Sequence, residues 1–362
     1  MRLLHEAMLA VLALAVPACG WQGGDTEALG SGGGAPTLAK RRGTVVIDGC
    51  ALSASQVSTL ASAPVRSLVK DVVLLCFTLD TTGAAQPASA TARAAVSDVV
   101  AQVRALGYAA KVGLSLSGDA GGMYDSTITA ELFENAAWDR AVLASAIALA
   151  PLADGIDLDF QNMPDGERDT LTALVTDIAT HVRPGKALEV FVPPSVAVPS
   201  DLPDGDAFDV SALGRVVDRV RVMTLDYSEG TSGGPTIDSG WAVDAANLAR
   251  SETGTPIDVA VPLYGWDFSG GGASPVTFSQ AESLASTSGA PISRDLAGDL
   301  SFTYVDATGI THQVWFDDAS ATVLTLAAWS TGALDPSVGV LFYGLGDEDP
   351  TLWSAVAEAT PS

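Results

Sequence analysis

The octapeptide Asp154-Gly155-Ile156-Asp157-Leu158-Asp159-Phe160-Gln161 alternates polar and apolar side chains with a period of two. A β-strand turns successive side chains to opposite faces, so Asp157, Asp159 and Gln161 share one face while Ile156, Leu158 and Phe160 share the other. Taking adjacent carboxylates out of water costs several kcal/mol unless shared protons, hydrogen bonds or a ligand compensate them. The flanking chain is strongly apolar, which argues against an edge strand with one wet face. The octapeptide therefore marks a functional face inside a fold.

Working outward, seven more strand-like runs occur at 44–49, 71–79, 109–117, 187–192, 219–227, 257–263 and 338–343, making eight with 155–161. Alanine-rich stretches of helical period at 92–106, 130–149, 167–182 and 241–251 lie between them. Strands alternating with helices predict parallel βα units, and eight of them predict an α/β TIM (β/α)8 barrel whose strands are buried on both faces. The alternative, an open doubly wound sheet, lacks a Gly-x-Gly-x-x-Gly turn after its first strand. Residues 269–316 break the repeat: two strand-like runs, Phe302-Thr-Tyr-Val and His312-Gln-Val-Trp-Phe, flank the turn signal Asp306-Ala-Thr-Gly309. They predict an inserted hairpin subdomain.

The chain has 362 residues, 48% of them hydrophobic, and a formal charge of −25 from 18 Lys+Arg against 43 Asp+Glu. One barrel domain over 44–362 accommodates that length. The negative field repels a phosphate backbone and anionic lipid, so nucleic acid is not an expected partner. Residues 1–18 read as an export signal: Arg2 precedes an apolar run from Leu9 to Val16 that is too short to span a bilayer. Val16-Pro17-Ala18-Cys19 resembles a bacterial lipobox, which implies cleavage before Cys19 and lipidation of its thiol. A cell-envelope lipoprotein is expected, touching the membrane through this anchor only, with simple secretion as the alternative. Glycine-rich residues 19–43 form a tether reaching roughly 25 to 30 Å. Cys50 and Cys76 fall on neighbouring strands; an oxidised pair suits an exported protein, while two small buried thiols are the favoured expectation. Three histidines (His5, His181 and His312) supply no ligand set, so no metal or cofactor is implied.

The octapeptide is similar to the strand-four signature of the family 18 glycoside hydrolases, the chitinase-like barrels, Asp-Gly-x-Asp-x-Asp-x-Glu. Asp154, Gly155, Asp157 and Asp159 match, and Gln161 stands at the position of the Glu. In that family the Glu protonates the glycosidic oxygen, and the Asp two residues earlier orients the sugar's own N-acetyl group as nucleophile. An amide has no acid proton to give, and loss of general acid catalysis costs about 10²- to 10⁴-fold, although the amide still hydrogen-bonds a sugar oxygen. Met223-Thr224-Leu225-Asp226-Tyr227 resembles the family's Met-x-Tyr-Asp segment, with Leu225 in place of the Tyr that holds the acetamido carbonyl. Pro262-Leu263-Tyr264-Gly265 and the stretch 339–346 resemble the spore-cortex-lytic subgroup, with Tyr343 where family members have a Trp under the sugar ring. The family also carries an α+β insertion between strand seven and helix seven.

The resemblance implies a monomer that recognises an N-acetylglucosamine glycan, chitin or peptidoglycan, with hydrolysis impaired or lost. Asp157, Asp159, Gln161 and Asp226 are the expected catalytic positions. Met223, Tyr227, Tyr264, Trp266 and Tyr343 are the expected carbohydrate contacts. Two alternatives stay open: an active retaining hydrolase whose acid has moved to Asp48, Asp80, Asp119, Asp226 or Glu229, and a protein-binding scaffold on an inactive barrel.

Overall fold

A computed structural model describes residues 36–361 apart from 88–91, 117–125, 162, 184, 197–206, 229–232 and 271. Along the chain run β1 (Gly43–Asp48), α1 (Ala54–Ala61), α2 (Ala63–Leu68), β2 (Val69–Leu79), β3 (Ala85–Pro87), α3 (Ala92–Ala105), β4 (Ala109–Leu116), α4 (Ser126–Phe133), α5 (Ala136–Leu149) and β5 (Gly155–Phe160). There follow α6 (Arg168–Val182), β6 (Ala187–Val192), α7 (Val210–Val216), β7 (Arg219–Val222), α8 (Ser239–Glu252), β8 (Ile257–Pro262), β9 (Gly265–Ser269), β10 (Gly272–Val276) and α9 (Phe278–Ser288). Last come β11 (Ser293–Arg294), β12 (Leu300–Val305), β13 (Thr311–Phe316), α10 (Ala319–Ala328), β14 (Gly339–Tyr343) and α11 (Leu352–Ala359).

Eight strands pair in parallel in the order β1-β2-β4-β5-β6-β7-β8-β14, and β14 returns to β1, closing the TIM barrel that the eight apolar runs predict. β3 adds to β2 as an antiparallel hairpin arm. Two predicted elements end early for visible reasons. The run 219–227 is strand only to Val222, because the chain turns tightly at Met223, where the Thr224 amide donates back to the Val222 carbonyl at 3.0 Å. The helical stretch 130–149 divides into α4 and α5 at Asn135, whose side chain accepts from the Ala137 amide at 3.0 Å and caps α5.

Between β8 and α10 lies the insertion, an antiparallel sheet ordered β10-β9-β13-β12-β11 with α9 packed on it. It begins at Gly265 rather than at residue 269, so Trp266 belongs to its sheet and not to the seventh barrel strand. The expected turn between β12 and β13 is present: the Asp306 carboxylate accepts from the amides of Thr308 and Ile310 at 2.9 and 2.8 Å, and Gly309 sits at φ +86°.

The last residues of the stretch expected as a tether, 36–42, are not free chain. Residues 36–42 pack against the barrel base: Leu38 is buried, its amide donates to the Ala359 carbonyl at 2.8 Å, and Arg41 donates to the carbonyls of Trp329, Leu334, Asp335 and Val338. The two remaining cysteines are bonded to each other rather than free. β1 and β2 pair with Asp48 opposite Leu75, which brings Cys50 within 4.9 Å (Cα to Cα) of Cys76, where β2 breaks register with β4.

The outer faces of the strands pack beneath the helices in one continuous apolar core. Inside the barrel a smaller cluster, Val46, Val73, Leu75, Phe191, Leu225, Ala260 and Leu341, fills the middle. Nearer the amino ends of the strands the interior is not apolar, contrary to expectation. Asp71, Lys111, Asp157, Glu189, Arg221 and Asp258 are buried there. Arg221 pairs with Asp157 (Nε to Oδ2, 2.7 Å), with Asp258 and with Glu189; Lys111 pairs with Glu189, Arg219 with Asp258 (2.7 Å) and Arg42 with Asp71. Gly339 leaves room for this floor, since a Cβ there would fall on the Asp258 carboxylate.

Candidate active site

The octapeptide distributes its polar face between two environments. Asp157 points into the charged floor, fully buried against Arg221, and its Oδ1 has no hydrogen-bond partner among the described residues. Burial pushes its carboxyl up to about 7, with Arg221 opposing and Glu189 adding to the shift. Asp159, one pleat further along, reaches the mouth of the barrel and is 4% exposed. β4 places Ser115 in register with it, and the Ser115 hydroxyl donates to Asp159 Oδ2 at 3.3 Å. Gln161 lies just beyond the end of β5; its Nε2 donates to Asp159 Oδ1 at 2.8 Å and stands 3.8 Å from Met223 Sδ. Burial raises the Asp159 carboxyl, and these two donors draw it back.

A second group forms where β7, β8, β9 and β14 end. Tyr264 donates its hydroxyl to Asp226 Oδ1 at 2.6 Å, and Trp266 donates its indole N–H to the same oxygen at 2.9 Å. The left-handed backbone at Asp226 accompanies this aim toward β9. Burial raises the Asp226 carboxyl against those two hydrogen bonds. The Tyr264 ring meets Trp266 and Tyr343 edge-on, with centroids 5.8 and 6.2 Å apart. Burial lifts the Tyr343 phenol well above its usual range, and the charges of Asp159, Asp48 and Asp226 lift it further.

Of the expected carbohydrate contacts, Met223, Tyr264, Trp266 and Tyr343 belong to these two groups. Tyr227 does not: its ring packs against Trp241 of α8 at 5.2 Å, in the core outside the barrel. Asp80 closes the β2–β3 turn by accepting from Thr82, Ala84 and Gln86. Cys19, Asp119 and Glu229 lie outside the described residues. Two residues of the mouth escaped the sequence. Ser115 is signalled only by its place on the inward face one residue before the end of β4. Asp347, pushed up to about 6 by burial and by Glu348 and Asp48, follows the last strand in a loop without a motif. A buried carboxyl beside an amide, next to a ledge of two phenols and an indole, can stack a pyranose ring and hydrogen-bond its hydroxyls.

A closed (β/α)8 barrel with polar groups gathered at the carboxyl ends of its strands is the architecture of a barrel enzyme family. The family model of the glycosyl hydrolases family 18 matches residues 66–323, and the chain belongs to that family. It is 24% identical over 214 residues to the cortical fragment-lytic enzyme of Bacillus anthracis, covering 56% of this chain and 49% of that protein. It thus spans about half the length of that relative. It is 23% identical over 253 residues to the uncharacterized glycosylase YvbX of Bacillus subtilis, covering 66% of this chain and 71% of that one. The same fold occurs in the Bacillus cereus spore cortex-lytic enzyme SleL, with a TM-score of 0.72, 18% identity, and 90% of this chain and 76% of that chain covered. It occurs also in a chitinase from Chromobacterium violaceum, with a TM-score of 0.71, 21% identity, and 87% and 98% covered.

Proposed function

We propose that this family 18 chain is an exported, lipid-anchored protein of the cell envelope that binds an N-acetylglucosamine glycan, chitin or peptidoglycan, without hydrolysing it efficiently. The single observation that carries this reading is the pair at the end of β5. By the likeness of 154–161 to the family's motif, Gln161 stands where that motif has its Glu, and its amide donates to Asp159 Oδ1 at 2.8 Å. An amide in that place orients and binds but supplies no proton. The ledge of Tyr264, Trp266 and Tyr343 supplies a stacking surface for the ring. Peptidoglycan is favoured as the polymer by the likeness to cortical fragment-lytic enzymes, and chitin by the likeness to chitinases.

Titration of the protein with chitooligosaccharides and with isolated glycan strands tests the binding function. Saturable binding below millimolar ligand is expected, and flat titrations at millimolar ligand contradict it. The anchor is tested separately by Cys19→Ala, which is expected to move the protein from the detergent phase to the aqueous phase on partitioning; an unchanged distribution contradicts lipidation at Cys19. A second reading, an active hydrolase with a displaced acid, is favoured by one observation: burial raises the Asp226 carboxyl beside the same aromatic ledge. Against it, Tyr264 and Trp266 both donate to Asp226 Oδ1, which stabilises the anion and opposes proton donation.

A further inference from the structure

We propose, resting on the lipid anchoring proposed above, that the base of the barrel around Lys40, Arg66 and Lys70 docks on the anionic phospholipid headgroups of the membrane that carries the anchor, so that the glycan-binding mouth points away from the bilayer. Residues 36–70 carry five basic side chains, Lys40, Arg41, Arg42, Arg66 and Lys70, and a single acid, Asp48, in a chain whose formal charge is −25. The fold gathers the five cations in one place. Gly43 of β1 pairs with Val69 of β2, so 40–42 lead into one strand beside Arg66, in the last turn of α2, and Lys70, at the start of β2. Asp48 closes the other end of β1, at the mouth. Lys40, Arg66 and Lys70 are exposed and make no ion pair among the described residues. Arg42 is exposed too and is paired with Asp71, whose second oxygen lies 3.7 Å from Lys111. Glu358, next to the Ala359 carbonyl that holds the Leu38 amide, is an exposed acid beside them, and the cations outnumber it.

The chain as a whole repels anionic lipid, and screening decides which field a membrane at the base meets. At physiological ionic strength the Debye length is about 8 Å. The 15 residues of α6, which runs between the two ends of the barrel, span about 22 Å, so acids at the mouth are screened from a surface at the base. Elsewhere on the base Arg104, Arg183 and Arg250 are matched by Asp154, Asp218 and Asp335, which cancels charge without reversing it. A Lys or Arg near an anionic membrane surface is worth about 5-fold in binding, so the three unpaired cations together supply roughly 10²-fold. The stretch that carries Cys19 joins the barrel at 36–42, on this same face. A lipid anchor there makes docking an intramolecular event, at an effective concentration on the order of mM. The eight barrel strands all run in parallel away from this base, so docking it turns their carboxyl ends outward, toward a polymer.

The test is energy transfer from the full-length protein, extracted from its membrane and reconstituted into vesicles, to a headgroup-labelled lipid. The donor dye is placed on Ser337→Cys, exposed at the base, or on Gly166→Cys, exposed beyond the end of β5. Transfer from position 337 is expected to be higher in vesicles containing phosphatidylglycerol than in phosphatidylcholine alone. It is expected to fall to the phosphatidylcholine level in about 1 M salt, where the Debye length is about 3 Å. Lys40→Glu, Arg66→Glu and Lys70→Glu combined are expected to lower the ratio of docked to undocked protein by at least roughly 10²-fold, which erases the difference between the two vesicles. The salt comparison on the wild type keeps the test valid if the triple variant fails to fold. Equal transfer from position 337 in both vesicles, with the protein bound to both, overturns the inference and leaves the anchor intact. Transfer from position 166 that matches or exceeds that from 337 overturns it as well, since the mouth then faces the bilayer. Flotation with neither vesicle overturns both the anchor and the inference, whereas flotation with phosphatidylglycerol vesicles alone upholds the docking face and overturns the anchor.

Discussion

At the scale of single residues, the acids of the mouth differ in what holds them. Asp159 has Gln161 and Ser115, Asp226 has Tyr264 and Trp266, and Asp347 has like charges for neighbours. With its folded value at about 6 and an ordinary value near 3.9, Asp347 binds its proton more firmly in the folded chain than in the unfolded one. Stability therefore falls as pH rises from roughly 4 to 6. Asp347→Asn removes the charge, so its melting temperature is expected to exceed that of the wild type at pH 7 and to converge with it at pH 4; an offset independent of pH contradicts the assignment. Sequence alternation was enough to find Asp159 and Gln161. It could not find that Asp157 is taken by the floor, because its partner Arg221 lies 64 residues away on another strand. Nor could it tell that Tyr227 turns to Trp241, since β7 stops at Val222 and the alternation of a strand no longer applies beyond it.

At the scale of elements, the strands carry two different interiors in series, a charged floor followed by an apolar middle. The signal was in the sequence, in Arg219-Val-Arg221-Val and Ile257-Asp258-Val, where charges recur at every second or isolated inward position. The expectation of strands buried on both faces was right about burial, and it missed that buried charges are tolerated when they neutralise one another. Arg221 is the hub, fully buried and facing Asp157, Glu189 and Asp258. Arg221→Met leaves those carboxylates short of a counter-charge, and removing one partner of a buried pair costs roughly 3 to 5 kcal/mol. Urea denaturation is expected to show a loss of that size, and a loss under ~1 kcal/mol contradicts the role given to the floor. The insertion was legible as a hairpin from its turn residues. Its true start at Gly265 was not, because Val261 to Phe268 carries no turn signal beyond Gly265 itself and the change of sheet is decided by pairing with β13 and β10.

At the scale of the whole molecule, eight apolar runs separated by helical stretches specified the barrel, and the likeness of 154–161 to the family's motif pointed to the carboxyl ends of its strands, where Asp159 and Gln161 lie. The proposed function requires a family 18 site kept for binding, with Gln161 standing where the family's motif has its Glu. The most direct measurement is release of a fluorogenic N-acetylglucosamine oligomer by the wild type beside Gln161→Glu. The expected result is no turnover above background by the wild type and at least about 10²-fold more by the variant, the lower end of what a positioned general acid supplies. Turnover by the wild type that is abolished by Asp226→Ala would contradict the claim, and would move the acid from β5 to the segment after β7.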